Sequence, residues 1–194
     1  MGRWEPNARG RLREAAMELF EERGYEETTV VEIARRAGLT DRTFFRHFAD
    51  KPEVLFDGSD VLREVFVAGI AGARAEDPPM AVMASMLLGI APRLQADRER
   101  ARRRHAIISG TPELLERELM KLARLAEVAG DALRRRGVPD PTAALVAETG
   151  IAVFRTAFAR WIGPDEKAAD LDAVMRETLA ELAALTRPLT PAAS

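Results

Sequence analysis

The 194-residue chain contains no cysteine and only two histidines, and its formal net charge is −2. The absence of cysteine excludes disulfides, zinc sites built from thiolates and thiol nucleophiles. A slightly acidic chain is not a uniformly basic nucleic-acid-binding protein, so any contact with a polyanion must be local. The sequence also lacks a run of about 18 apolar residues and an N-terminal leader pattern, from which we predict a cytoplasmic location and no membrane partner.

Sequence motifs of known catalytic chemistry are missing as well. The chain has no GxSxG, no P-loop, no HExxH and no glycine-rich phosphate turn, and its two histidines are far apart in sequence. We therefore predict no catalytic residues, no metal ligands and no cofactor, and the chain is not expected to be an enzyme. A helical enzyme without a recognised motif is an alternative class.

Helical periodicity is the main feature that the chain does have. Apolar residues make up 47% of it and recur at spacings of three and four, without the alternation of a strand. The predicted fold is all-α, with about nine helices. One helix is expected over residues 53–75, with buried positions at Val54, Leu55, Val61, Leu62, Val65 and Phe66. Gly58 is expected to be tolerated within it, and a bend at Gly58 is the alternative. Later helices are expected over residues 80–95, 97–109, 112–136, 141–162 and 167–187, each bounded by proline or glycine.

The N-terminal quarter contains two short helices after a longer one that stops at Gly24. Thr29 and Glu32 have the spacing of a capping box at the start of the second helix, which ends at Gly38. Thr40 can cap a third helix after a turn of about three residues. A packing helix followed by two short helices and a tight turn is the pattern of a helix-turn-helix.

The third helix, in the stretch GLTDRTFFRHFADK, has two distinct faces. Phe44 and Phe48 are four residues apart and are predicted to point inward. The other face is cationic and hydrogen-bonding, and it comprises Arg42, Phe45 and Arg46, with Thr43 and His47 at its border. Such a face suits the major groove, because guanidinium and hydroxyl donors bond phosphates and base edges. The alternative is that the arginines form only a solvated surface.

The stretch TTVVEIARRAGLTDRTFFRHFADK resembles the DNA-binding signature of the TetR (tetracycline repressor) family, with a match over residues 8–56. The resemblance implies a helix-turn-helix domain over residues 1–51, a helical effector-binding and dimerisation domain over residues 52–187, and a loose tail over residues 188–194. It also implies phosphate contacts by Thr29, Thr43, His47 and Lys51, and positions near the base edges for Thr40, Asp41 and Arg42, with Arg42 recognising a guanine.

Two positions depart from the family's pattern. The family usually has a tyrosine at the position of Phe45, and phenylalanine lacks the hydroxyl that would reach a phosphate, so Arg46 is expected to compensate. Pro52 directly follows Lys51 where glutamate is common, and proline is tolerated in a first helical turn.

The resemblance further implies a homodimer on a palindromic operator, assembled through the last two long helices and released by a small apolar or amphipathic effector. The expected dimer faces are Leu145, Thr149, Ala152, Val153, Thr156 and Trp161 in one helix and Leu171, Val174, Met175, Thr178, Leu179 and Leu182 in the other. The candidate effector-binding residues are Met83, Met86, Leu87, Ile90, His105, Ile108, Ser109, Leu122, Glu148, Phe154, Arg155 and Phe158. For both sets the alternative is plain core packing, and a DNA-binding protein without an effector is the alternative function.

The segment RERARRRH, residues 98–105, is the densest basic run in the chain. At helical pitch its arginines spread over most of the circumference of a helix. We therefore predict a solvated surface here and not a second nucleic-acid-binding patch.

Overall fold

The computed structural model describes residues 7–164 and 170–186, which form nine α-helices and one short 3-10 helix. The all-α prediction is confirmed for these residues, and the tail predicted over residues 188–194 lies outside them. The α-helices are α1 (Ala8–Arg23), α2 (Val30–Arg36), α3 (Asp41–His47), α4 (Ser59–Ala71), α5 (Pro79–Gln95), α6 (Arg98–Ser109), α7 (Pro112–Arg135), α8 (Asp140–Ile162) and α9 (Leu171–Thr186).

The described chain divides into two compact units. The first, which we call the motif unit, consists of the described residues through Ser59 together with Arg103–Leu119. The second, the bundle unit, consists of Asp60–Arg102 and the described residues from Met120 onward. Helices α6 and α7 therefore each contribute residues to both units. The domain boundary predicted after residue 51 stays a prediction.

The motif unit has its own hydrophobic core, in which α1, α2 and α3 meet. Phe44 and Phe48 are 0% and 2% exposed, so both point inward as predicted. Ile33 of α2 and Leu12 of α1 are fully buried in the same cluster. Ile108, from the end of α6, also belongs to this core and is 0% exposed. Burial of such large side chains contributes about 1.5–3 kcal/mol each, so the core fixes the angle at which α3 is held.

The bundle unit is built on α5, α8 and α9, which pack against one another. Its core also receives residues from α4 and α7, among them Phe66 and Leu133. Several side chains predicted for the dimer faces lie in this core instead, because α8 and α9 bury one face within the chain itself. These residues are Val153, Trp161, Leu171, Val174, Met175 and Thr178.

Two methionines of α5 occupy the space next to glycines of α8 and α4, where any larger residue would place its side chain. A Cβ placed on Gly150 of α8 would lie 2.5 Å from Met83 Cγ, and one on Gly69 of α4 would lie 2.9 Å from Met86 Cγ. Methionine suits such gaps because its unbranched side chain adapts to irregular shapes. The glycines therefore allow α4 and α8 to approach α5 closely.

Helix α8 is, among the described residues, long and apolar enough to cross a membrane by length and composition alone. This differs from the expectation that no such segment exists. The core helix of a globular unit gives the same signal, and Ala147, Ile151 and Phe154 of α8 are buried in the bundle core. Internal packing therefore accounts for part of its apolar character.

The single helix predicted over residues 53–75 is wrong. A 3-10 helix covers Pro52–Leu55, and α4 begins only at Ser59. Gly58 lies between them with φ +98°, in the left-handed region that glycine adopts without a steric penalty. The Ser59 hydroxyl donates to the carbonyl of Phe56 at 2.7 Å, which stabilises the turn. Val61, expected to be buried in the continuous helix, is 59% exposed.

Candidate nucleic-acid interface

Helix α2 begins with the predicted capping box. The Thr29 hydroxyl accepts the backbone N–H of Glu32 at 3.3 Å, and the Glu32 carboxylate accepts the backbone N–H of Thr29 at 2.9 Å. These bonds from Thr29, the backbone one first, hold the pKa of Glu32 below its ordinary value of 4.5. At the other end of α2, Gly38 has φ +67° and the Arg11 guanidinium donates to the carbonyl of Ala37. The turn between α2 and α3 is thus fixed from both sides.

Helix α3 starts with a polar cluster. The Thr40 hydroxyl accepts the backbone N–H of Thr43 at 3.2 Å, and the two hydroxyl oxygens lie 3.1 Å apart. The Asp41 carboxylate accepts the backbone N–H of Arg42 at 2.8 Å. Thr40 and Asp41 are exposed and Thr43 is half-buried. The three side chains therefore stabilise the start of α3, and their predicted DNA contacts stay predictions.

Arg42, Phe45 and Arg46 lie together on the exposed face of α3. Phe45 is 57% exposed, although the other two phenylalanines of this stretch are buried. Within the part of the chain that the structure describes, neither guanidinium group of this face makes a side-chain hydrogen bond or an ion pair. The face combines two available cations with an apolar ring.

The other arginines of the motif unit present a clear contrast. Arg36 of α2 bonds both Glu18 and Glu22 of α1, the latter at 2.7 Å, and this hydrogen bond lowers the pKa of Glu22. Arg103 bonds Glu21 at 2.6 Å. Other arginines of the unit with an acid or carbonyl partner are Arg9, Arg11, Arg13, Arg23, Arg104 and Arg117. Over residues 7–59 and 103–119, the arginines whose side chains make neither a hydrogen bond nor an ion pair within 4 Å are Arg35, Arg42 and Arg46.

Arg35 was not among the predicted contact residues, although it is exposed and next to Arg36. A signal in the sequence distinguishes the two. Glu18 and Glu22 are four residues apart on α1 and so share one face of that helix, which makes them a ready partner for one arginine. Arg36 takes that position, and Arg35 is left for solvent or a ligand.

The two other predicted phosphate contacts occupy less open positions. Lys51 Nζ donates to the carbonyls of Tyr25 and Thr28 at 2.8 and 3.0 Å and lies 4.0 Å from the centroid of the Tyr25 ring. His47 Nε2 is buried without a hydrogen-bond partner among the described residues. In this conformation a phosphate would have to reach His47 through Nδ1 and Lys51 through its third N–H. Both contacts stay predictions.

Two protein-family models match the chain, one over its N-terminal part and one over the rest. The model described as "Bacterial regulatory proteins, tetR family" matches residues 12–57, which contain α2, α3 and their caps. The model described as "MftR C-terminal domain" matches residues 60–187. The chain belongs to the TetR family of bacterial regulatory proteins.

Individual relatives agree with this assignment. The HTH-type transcriptional regulator TcmR of Streptomyces glaucescens is 37% identical to this TetR-family chain over 87 residues, which are 45% of this chain and 38% of TcmR. The match thus spans well under half of that relative. FadR of Thermus thermophilus, a TetR-family transcriptional repressor solved with lauroyl-CoA, is 27% identical with a TM-score of 0.55, covering 96% of this chain and 99% of FadR. NalD of Pseudomonas aeruginosa shares the fold, with a TM-score of 0.62 at 21% identity over 92% of this chain and 96% of NalD.

The candidate effector-binding residues of this TetR-family chain do not form one group. The apolar ones in the bundle core are Met83, Met86, Leu87, Ile90 and Phe154, with Leu122 and Phe158 packed against them. Ile108 belongs to the core of the motif unit, and His105 and Ser109 lie near it on the same end of α6. Glu148 and Arg155 are exposed on α8. The structure gathers every apolar candidate except Ile108 in the bundle core, and it leaves Glu148 and Arg155 exposed on the surface of α8.

The basic run of α6 is not the solvated surface that its helical spacing predicts. Arg98 Nε donates to the carbonyl of Trp161 at 2.7 Å, and Arg102 donates to the carbonyls of Ile162 and Gly163 at 2.9 and 2.7 Å. These carbonyls lie at the end of α8, where a helix leaves its last acceptors without internal partners. All five arginines of the run, Arg98, Arg100, Arg102, Arg103 and Arg104, are half-buried.

Proposed function

We propose that this TetR-family protein is a cytoplasmic, DNA-binding transcriptional repressor that acts by binding and not by catalysis. One observation carries the proposal: Arg42 and Arg46 are exposed and unpaired on one face of α3, within the described chain. In the same unit most other arginines have acid or carbonyl partners. A helix with available guanidinium groups fits the major groove and its phosphates.

A homodimer on a palindromic operator is part of the proposal. Two-fold partners present two recognition helices to half-sites about 34–36 Å apart or a multiple of that distance. The support from this chain is the exposed surface of α8 and α9. Leu145 of α8 and Leu185 of α9 are 69% and 75% exposed, and Ala152 and Thr156 are also exposed on α8, 7 and 11 residues after Leu145. These residues are the proposed centre of the dimer contact.

Release by a small apolar or amphipathic effector is the third element. The bundle core contains the apolar candidates Met83, Leu87 and Phe154, and FadR of Thermus thermophilus was solved with lauroyl-CoA. An effector that favours a conformation with displaced recognition helices weakens DNA binding by its coupling free energy, typically about 1–3 kcal/mol. A long-chain acyl group is the effector chemistry that the FadR similarity supports.

A repressor without an effector is a second candidate, because one observation favours it. Met83 and Met86 occupy the space over Gly150 and Gly69, so these methionines act as packing residues. A thermal-shift series with acyl-CoA thioesters and free fatty acids separates the two candidates. A rise in melting temperature together with weaker operator binding supports the effector, whereas no shift with any chain length supports the filled core.

The proposal is tested by enriching a random duplex library on the protein at physiological salt, since phosphate attraction alone dominates at low salt. We expect one inverted-repeat sequence. The Arg42→Ala/Arg46→Ala double variant should enrich nothing. A matched control is Arg93→Ala/Arg124→Ala, which removes two exposed bundle-unit arginines that are also unpaired among the described residues. If both double variants still enrich the same repeat, α3 is not the recognition helix.

A further inference from the structure

Phe45 is an apolar ring in an exposed position for which the fold gives no internal reason. It is 57% exposed on a seven-residue helix. Its ring is nevertheless held in place, because it packs edge-on against the buried Phe44 with centroids 5.6 Å apart and an interplanar angle of 81°. An ordered, exposed aromatic ring has apolar area available to a partner.

The neighbours of this ring restrict the chemistry of that partner. Arg42 precedes Phe45 by one helical turn and Arg46 follows it directly, and neither has a side-chain partner among the described residues. The partner must therefore offer negative charge on both sides of an apolar group. Phosphates cannot bond a phenyl ring. The apolar group that B-DNA presents in its major groove is the C5-methyl of thymine.

We propose that Phe45 contacts a pyrimidine C5-methyl group in the operator and thereby sets sequence preference at one base pair of each half-site. This inference rests on the proposed function, since it requires that α3 lies in the major groove. The methyl group belongs to thymine in unmodified DNA and to 5-methylcytosine in methylated DNA. Arg42 and Arg46 then bracket the ring with contacts to a base edge and the backbone.

The experiment uses the enriched duplex and replaces each thymine in turn by deoxyuridine, which keeps the base pair and removes only the methyl group. For the natural protein we expect a loss of affinity of roughly fourfold at one thymine per half-site, the effect of burying one methyl, and no loss at the others. If the enriched operator has cytosine where α3 contacts the pyrimidine, replacing that cytosine by 5-methylcytosine adds the methyl group and should raise the affinity by a similar factor.

Variants assign the effect to the ring. Phe45→Ala should bind thymine and deoxyuridine duplexes equally, whereas Phe45→Tyr keeps the ring and should keep the fourfold difference. Val31→Ala is the matched control, because Val31 of α2 is 62% exposed and belongs to the same unit; it should leave the difference unchanged. Phe45→Leu replaces Phe45→Ala if the smaller side chain lowers the melting temperature.

The outcomes separate this inference from the proposed function. If no duplex is enriched, both are overturned. If an operator is enriched but no thymine is sensitive to loss of its methyl, or if Phe45→Ala keeps the sensitivity, the methyl contact is wrong and DNA binding stands. Equal weakening of all duplexes by Phe45→Ala, with unchanged sensitivity to deoxyuridine, would mean that the ring only supports Phe44.

Discussion

The two arginine-rich helices, α3 and α6, differ in what their guanidinium groups contact. In α6, Arg98 and Arg102 donate to carbonyls at the end of α8, and Arg103 bonds the carboxylate of Glu21. In α3, Arg42 and Arg46 have no side-chain partner within the described chain. Composition alone would favour α6 as the polyanion-binding helix. The partners of each arginine favour α3.

The physical reason is the free energy of exchanging one set of hydrogen bonds for another. A guanidinium that already bonds a carbonyl or carboxylate must give up that contact before it bonds a phosphate, and an unsatisfied partner costs about 1–3 kcal/mol. An unpaired arginine loses only side-chain conformational entropy. Arginines with partners therefore stabilise the fold, and arginines without partners are available for binding. The variants below test this division.

The largest expected effect is on stability, in Arg104→Ala. Arg104 bonds the carbonyl of Leu55 at 2.6 Å and Glu118 at 2.9 Å, and it lies 5.2 Å from the Phe56 ring centroid. Its removal should lower the free energy of unfolding by about 2–4 kcal/mol, the sum of a charged hydrogen bond and a cation–π contact. Urea unfolding measures this, and an unchanged midpoint would contradict a structural role for α6.

The second prediction concerns an unpaired arginine, whose removal should affect DNA binding and not stability. Arg42→Ala should weaken operator binding by about 1–3 kcal/mol and relax the preference at one base pair, because a bidentate contact to a base edge is lost. Its free energy of unfolding should change by no more than about 0.5 kcal/mol, as is usual at exposed sites. Binding titrations over all four bases at each position provide the measurement. An unchanged base preference rules out the guanine contact.

The third prediction concerns Arg46, whose expected contact is a phosphate. Arg46→Ala should weaken all sequences alike and make the dependence of log affinity on log salt shallower by about 1. Titrations at several salt concentrations distinguish it from Arg42→Ala, which should change sequence preference more than salt dependence. Arg124→Ala is the control, since Arg124 is exposed on α7 and should change neither. A salt slope that stays the same would show that Arg46 contacts no phosphate.

Much of the candidate interface could be predicted because it is encoded locally. The capping box of Thr29 and Glu32, the cap at Thr40 and the inward positions of Phe44 and Phe48 depend on residues three or four apart. Spacings of this length are visible in one sequence. They suffice to show which face of α3 is exposed.

The remaining features could not be predicted because they depend on distant residues. The carbonyl partner of Arg98 is 63 residues away and that of Arg104 is 49 residues away, and a carbonyl acceptor leaves no mark in the sequence. Ile108 lies in the motif core for the same reason, since only the tertiary fold brings the end of α6 there. Gly58 breaks the helix because of its positive φ, which apolar periodicity on both sides conceals.

The smallest expected effect is a difference in acid sensitivity between two kinds of arginine contact, those with carboxylates and those with backbone carbonyls. The hydrogen bond from Arg36 lowers the pKa of Glu22 below its ordinary value of 4.5, so this contact is complete above pH 4.5 and is lost as the pH falls through the lowered pKa. The contacts of Arg102 to the carbonyls of Ile162 and Gly163 contain no titrating acceptor. The protection of the Arg36 Nη–H groups from solvent exchange, measured by NMR relative to a free guanidinium at the same pH, should therefore fall in acid. The protection of the Arg102 Nη–H that bonds Gly163 should not.

A Glu22→Gln variant provides the control for this comparison. Glutamine keeps an acceptor oxygen but does not titrate, so the acid response of Arg36 should shrink in this variant. If Arg102 responds to acid as strongly as Arg36, the loss is a general loosening of the fold, because nothing in its carbonyl contacts can accept a proton at that pH. If only Arg36 responds, acid converts a partnered arginine of α2 into an unpaired one.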